Sequence, residues 1–106
     1  MPKYLIQASY SAEGLKGLQK DKASGRRTAV ASAIESLGGR LEAVYYCFGE
    51  DDVIVILDMP DNIAASALSL AVSATGLVRT RTTPLLTIEE TDKALAKNMN
   101  YRAPGR

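Results

Sequence analysis

The sequence predicts an α+β domain in which one four-stranded antiparallel sheet carries two helices on the same face. Three observations lead there. Val53 to Leu57 is an unbroken apolar run near the middle of the chain, the pattern of a central strand covered on both sides. Just before it, Gly49-Glu50-Asp51-Asp52 places turn residues between two runs rich in β-branched and aromatic side chains, so these two strands form a hairpin. Just after it, Pro60 stops the ladder and Asp61 offers its carboxylate to the free amides of a first helical turn.

The remaining elements follow in chain order. Lys3 to Tyr10 alternates, with Tyr4, Ile6, Ala8 and Tyr10 on one face and Leu5, Gln7 and Ser9 on the other; Leu5 implies that both faces are partly covered. Ser11 to Lys22, with Gly14 and Gly17 beside Leu15 and Leu18, reads as a short glycine-weakened helical turn or an ordered loop. From Ser24 onward Val30, Ala33, Ile34 and Leu37 fall at i, i+3, i+4 and i+7, one helical stripe that Gly38-Gly39 terminates in the left-handed conformation. Leu41 to Phe48 is the second strand, biased to a pleated surface by Tyr45, Tyr46 and Phe48. Asp61 to Thr75 is an alanine-rich helix closed by Gly76, with Ile63, Ala67, Leu70, Ala71 and Ala74 expected against the sheet. Leu77 to Leu86 sets Val78, Thr80 and Thr82 against Leu77, Arg79 and Arg81 as the fourth strand, weakened at Pro84. Thr87-Ile88-Glu89-Glu90 matches a capping box and opens a short last helix to about Asn98. Strand, helix, strand, strand, helix, strand is the split β-α-β or ferredoxin-like plan. Right-handed crossovers then centre strands one and three, with four beside one and two beside three. Residues 1–98 form the single domain, and 99–106 a tail expected to be mobile unless it docks on a neighbour.

Composition removes whole classes of function. A chain of 106 residues supports one core. Its net charge of +1 exerts no overall pull on nucleic acid or anionic lipid. No stretch approaches the roughly 20 apolar residues of a membrane span, and Met1 to Ile6 runs straight into a strand pattern without the features of a signal peptide; a cytoplasmic location is expected. With Cys47 as the single cysteine and no histidine, there is no intrachain disulfide, cysteine zinc site, Ser-His-Asp triad, Cys-His pair or imidazole-ligated metal. No cofactor is expected. Cys47 reads as a small apolar strand residue with no base to activate it.

On period-two alternation, Leu5, Gln7, Ser9, Ile54, Ile56, Asp58, Arg79 and Arg81 share the helix-free face. Apolar Leu5, Ile54 and Ile56 on adjoining strands make a patch of the kind that marks an interface or a ligand site, so a homo-oligomer is expected. Asp58 on a central strand needs a partner, and Arg79 or Arg81 is expected to reach it across the first strand with Gln7 between. That set reads either as a salt bridge fixing the interface or as a polar cluster where arginine grips a ligand carboxylate or enolate; a catalytic acid or base role for Asp58 is a third reading. Glu50, Asp51 and Asp52 present clustered oxygens but lack the spacing of a calcium loop, and a solvated turn with Asp52 capping backbone amides is expected. Lys16, Lys20, Lys22, Arg26 and Arg27 form a basic segment blunted by Glu13 and Asp21, expected as a wet loop. The aromatic and glycine motif of a ferredoxin-like RNA-binding sheet is missing from Val53 to Leu57, against nucleic-acid binding.

Over residues 3 to 90 the chain resembles the GYD family, small ferredoxin-like domains named for a Gly-x-Tyr-Asp motif after the second strand. The likeness rests on Glu13-Gly14, Arg27, Gly38-Gly39, Tyr46, Gly49 with Asp52, Met59-Pro60-Asp61, and Gly76 with Val78-Arg79-Thr80. Asp51 stands where the motif has its tyrosine, so the role of that aromatic does not carry over. The family brings no established activity. The chain is also similar to the wider dimeric α+β barrel group, which implies pairing through the helix-free sheet face and small molecules bound near it. A homo-oligomer binding a small organic ligand there is therefore expected, with Asp58, Arg79 and Arg81 for charge, Gln7 for hydrogen bonding and Tyr46 for packing. The alternatives are a cofactor-free, monooxygenase- or isomerase-like enzyme acting on an oxygenated aromatic or a lactone, which the same resemblance implies, and a purely structural assembly module.

Overall fold

The computed structural model describes all 106 residues, Met1–Arg106. The elements run β1 (Lys3–Tyr10), α1 (Ala12–Ser36), β2 (Arg40–Tyr46), β3 (Val53–Asp58), α2 (Asn62–Ala74), β4 (Val78–Leu85) and α3 (Ile88–Leu95). The sheet is antiparallel throughout in the order β2-β3-β1-β4, the ferredoxin-like arrangement the sequence predicts. No helix is long and apolar enough to cross a membrane.

Alternation sorts the central strands as expected. Tyr4, Ile6 and Ala8 of β1 and Val53, Val55 and Leu57 of β3 are buried under the helices with Ile34 of α1 and Ala65 and Leu68 of α2. Covering each of the larger aliphatic side chains contributes about 1.5–3 kcal/mol. β2 carries a bulge between Leu41 and Ala43 and ends at Tyr46, leaving Cys47 and Phe48 outside it; Cys47 Sγ lies 3.3 Å from the Asp51 carbonyl. Pro84 does not end β4, which continues to Leu85. On an edge strand that pairs only with β1, a missing N–H leaves no ladder partner unmet.

Helix α1 begins thirteen residues earlier than Ser24 implies, counting from the Ser11 cap, whose hydroxyl accepts from Gly14 N at 3.1 Å. It breaks at Lys22 (φ 63°), dividing the segment into two helices. Gly14 is not a weak point: it is buried, and a Cβ there would overlap the Leu77 carbonyl oxygen. Lys16, Lys20, Arg26 and Arg27 therefore sit on helix and not in a wet loop, with Lys22 at the break between the two helices.

In α2 the expected inward stripe faces out. Ala65 and Leu68 are buried with Ala64 and Val72 packed beside them, whereas Ile63 and Leu70 are 81% and 71% exposed and Ala67, Ala71 and Ala74 are exposed too. The helix is apolar on both sides, so spacing alone selects neither. Asp61 caps it by accepting from Ala64 N at 2.8 Å. The Thr87 capping box of α3 is present with both bonds, Glu90 N to Thr87 Oγ1 at 3.0 Å and Thr87 N to Glu90 Oε1 at 2.9 Å.

Candidate functional site

The helix-free face holds two polar clusters at opposite ends of β1, and they do not join. Asp58, the one buried charged residue, accepts from Lys3 Nζ at 2.9 Å and from Arg40 at 3.3 Å; Lys3 also pairs with Glu42. The expectation that Arg79 or Arg81 reaches Asp58 is therefore corrected. Register explains why: Lys3 is opposite Asp58, whereas Arg81 is opposite Gln7, four residues and about 13 Å further along the strand. Lys3 above all holds the Asp58 carboxyl below its ordinary 3.8, and Arg40 adds to this. The Lys3 ammonium is in turn held above 10.5, by Glu42 first and Asp58 second. A carboxyl depressed in the folded state stabilises fully above its unfolded value and loses that contribution as pH falls through the folded one. Asp58→Asn is thus expected to cost about 1–3 kcal/mol at pH 6, with the gap to the native chain closing as pH drops below 3.8. Urea denaturation at both pH values checks this; a gap independent of pH would contradict it.

At the other end Asp51 is the centre. It accepts from Arg81 at 2.8 Å and lies 3.4 Å from both Gln7 Nε2 and Ser9 Oγ. Arg79, Arg81, Gln7 and Ser9 border a shallow polar depression with no hydrophobic residue in its walls. Asp52 turns the other way and caps Tyr10 N at 2.8 Å, as expected for the turn. Sequence reasoning did not select Asp51, although a carboxylate in a turn leading into a strand beside Gln7 was the available signal. Asp51 neutralises Arg81, which leaves that arginine better suited to salt bridging than to gripping an anion.

Tyr46 is on the opposite face. It pairs with Val53, whose side chain is buried beneath the helices, while its neighbour Tyr45 pairs with Ile54 on the helix-free side. Of the five expected site residues, Gln7, Arg79 and Arg81 come together, Asp58 stands apart from them, and Tyr46 belongs elsewhere. What Tyr46 lines is a cavity of about 120 Å³ between α1, α2 and the sheet, with fourteen of eighteen lining residues hydrophobic. Ile6, Val30, Ala33, Val55 and Leu68 supply apolar wall, and its polar groups come from Tyr10, Tyr46, Arg26, Arg27, Ser69 and Thr80. The Tyr10 and Tyr46 hydroxyls are 3.3 Å apart. Burial and then the Tyr10 hydroxyl raise the Tyr46 phenol above its ordinary 10.0, so it stays neutral and able to donate. Two hydroxyls sharing one hydrogen bond keep one O–H hydrogen free for a third oxygen. Arg26 adds a cation, itself 3.8 Å from Asp21. The cavity was not legible in spacing because it forms where small side chains, Ala8, Ala29 and Ala33, line two different elements.

Fold and geometry define a ferredoxin-like α+β domain with an apolar helix-side cavity and a charged helix-free face. The chain belongs to the GYD domain family, whose model matches residues 4–95. A comparison with curated proteins found no significant match.

Proposed function

We propose that this GYD-domain protein is a small homo-oligomer that binds a compact organic molecule in the helix-side cavity. The ligand is a ring-sized apolar body with one oxygen acceptor. The carrying observation is the cavity itself: bounded by α1, α2 and the sheet, mostly hydrophobic, with the paired Tyr10 and Tyr46 hydroxyls and the Arg26 guanidinium among its few polar groups. Pockets of that make-up are the usual small-molecule sites. Its 120 Å³ is of the order of the ~150 Å³ that takes up benzene in an apolar protein interior. An oxygen on the ligand would accept from the free Tyr10 or Tyr46 hydroxyl hydrogen, with Arg26 nearby to favour partial negative charge there. This reading moves the ligand from the helix-free face, where it was expected, to the other side of the sheet. The helix-free face keeps the role of self-association, supported by half-covered Leu5, Ile54 and Ile56 beside the two ion-pair clusters.

Native mass spectrometry of freshly purified protein tests both parts. An oligomer carrying a reproducible extra mass, lost on denaturation, is the expected result. A monomer would overturn the assembly, and a bare oligomer that takes up no added phenol would overturn the pocket.

A further inference from the structure

The segment from Leu86 onward adds nothing to the core that carries it. Every residue from Leu86 to Arg102, all of α3 included, is exposed. The molecule measures 56 × 33 × 22 Å with a radius of gyration of 16.9 Å, where a compact chain of this length comes to about 13 Å. Yet α3 is a well-capped helix. At eight residues it is too short to persist by itself, since isolated helices below roughly 12–15 residues are marginal in water. Ile88 and Leu95, seven residues apart on one stripe, are 83% and 79% exposed, and Leu86 and Met99 flank them at 65% and 82%.

Helix α2 has the matching deficiency. None of its thirteen residues is charged. Its outer stripe presents Ile63 and Leu70, also seven apart, with Ala67, Ala71 and Ala74 between and beside them. A helix with an apolar stripe on its outward side as well as its inward one leaves that outer stripe needing cover. Its own α3 cannot supply that cover. Only Leu86 and Thr87 join β4 to α3, and two residues span at most about 7 Å. α2 lies directly over β4, where Ser69 meets Thr82 at 2.5 Å and Ser73 meets Thr80 at 3.1 Å, and a helix is roughly 10 Å thick.

We propose that α3 of one copy lies along the outer face of α2 of a second copy, and reciprocally. Ile88 and Leu95 of α3 meet the alanine-lined steps of the α2 stripe, Ala67, Ala71 and Ala74, which lets the helix axes approach closely. Four arm side chains at roughly 100 Å² each, with the surface they cover on α2, come to ~800 Å² per contact, and a reciprocal pair reaches the ~1,600 Å² of an ordinary stable interface. This contact is separate from pairing through the helix-free sheet face and does not depend on ligand binding.

Sedimentation equilibrium of the full chain with Leu70→Glu, Leu95→Glu and the double variant Leu70→Lys/Leu95→Glu tests it. Both positions are exposed, so each variant keeps its fold, which circular dichroism verifies. Each glutamate is expected to weaken self-association at least tenfold, and the lysine–glutamate pair to recover most of that loss by meeting across the contact. Unchanged association in both single variants would overturn the proposal. So would a loss confined to Leu95→Glu, which would place the arm on another surface, and so would a native chain that is monomeric.

Discussion

Gly39→Ala is expected to lower the unfolding free energy by about 3 kcal/mol, near the upper end of what overpacking a core costs. A Cβ at this position would overlap Met59 Sδ, come within 2.5 Å of the Asp58 carbonyl oxygen and lie 3.0 Å from Ile34 Cγ2. Ile34 and Met59 are both fully buried, so neither can swing aside, and the obstructing carbonyl belongs to the end of the central strand. The adjacent Gly38→Ala is the informative control. Gly38 has φ +82°, and its Cβ would meet only Pro60 Cγ at 3.3 Å, so its cost is mainly the left-handed backbone, about 1–2 kcal/mol. Urea denaturation of the two variants separates them. Equal losses would show that residue 39 contributes only a turn, against the close approach described above.

That pair of glycines illustrates what the sequence discloses and what it does not. A double glycine after the stripe of Val30, Ala33, Ile34 and Leu37 announces a helix end, and the structure ends α1 there. Which glycine bends the chain and which admits a neighbour depends on what packs against it, and no local pattern contains that. The same division runs through the whole molecule. Alternation placed every buried residue of β1 and β3, because period two leaves only one choice once a face is covered. It failed on α2, where apolar residues lie on two opposite sides of the helix and either side satisfies the pattern. Strand order followed from crossover handedness, yet the partners of Asp58 required the register, and the register put Lys3 and not Arg81 opposite it. Tyr46 was expected to pack a ligand at the helix-free face, but the β2–β3 register, with its bulge at Leu41/Ala43, sets it opposite buried Val53 on the helix side. The cavity it lines arises from three-dimensional juxtaposition of small side chains on β1 and α1.

Ala33→Leu is expected to abolish small-molecule binding while leaving the protein at least as stable as before. Ala33 projects from α1 toward the core and lines the cavity. Three added carbons enter space that is otherwise unfilled, and each buried methylene contributes about 0.8 kcal/mol where it fits without strain. The ligand loses the same space, and affinity is expected to fall at least 100-fold, which corresponds to about 2.7 kcal/mol. Tyr46→Phe is the milder companion. It removes one hydroxyl but no wall, so roughly a tenfold loss is expected, the value of one hydrogen bond of ordinary strength. A thermal-shift series with phenol, benzoate and cyclohexane as probes ranks these effects. Cyclohexane should respond to Ala33→Leu and be indifferent to Tyr46→Phe, because it carries no oxygen for the hydroxyl to meet.

The location of the ligand is the central claim, and a nuclear magnetic resonance titration addresses it most directly. Phenol added to the isotope-labelled native chain should give saturable shifts at Tyr46, Val55, Leu68 and their neighbours around the cavity, and none in Ala33→Leu. Shifts that are absent from the native chain, that persist unchanged in Ala33→Leu, or that centre on Gln7, Asp51 and Arg81 would contradict it.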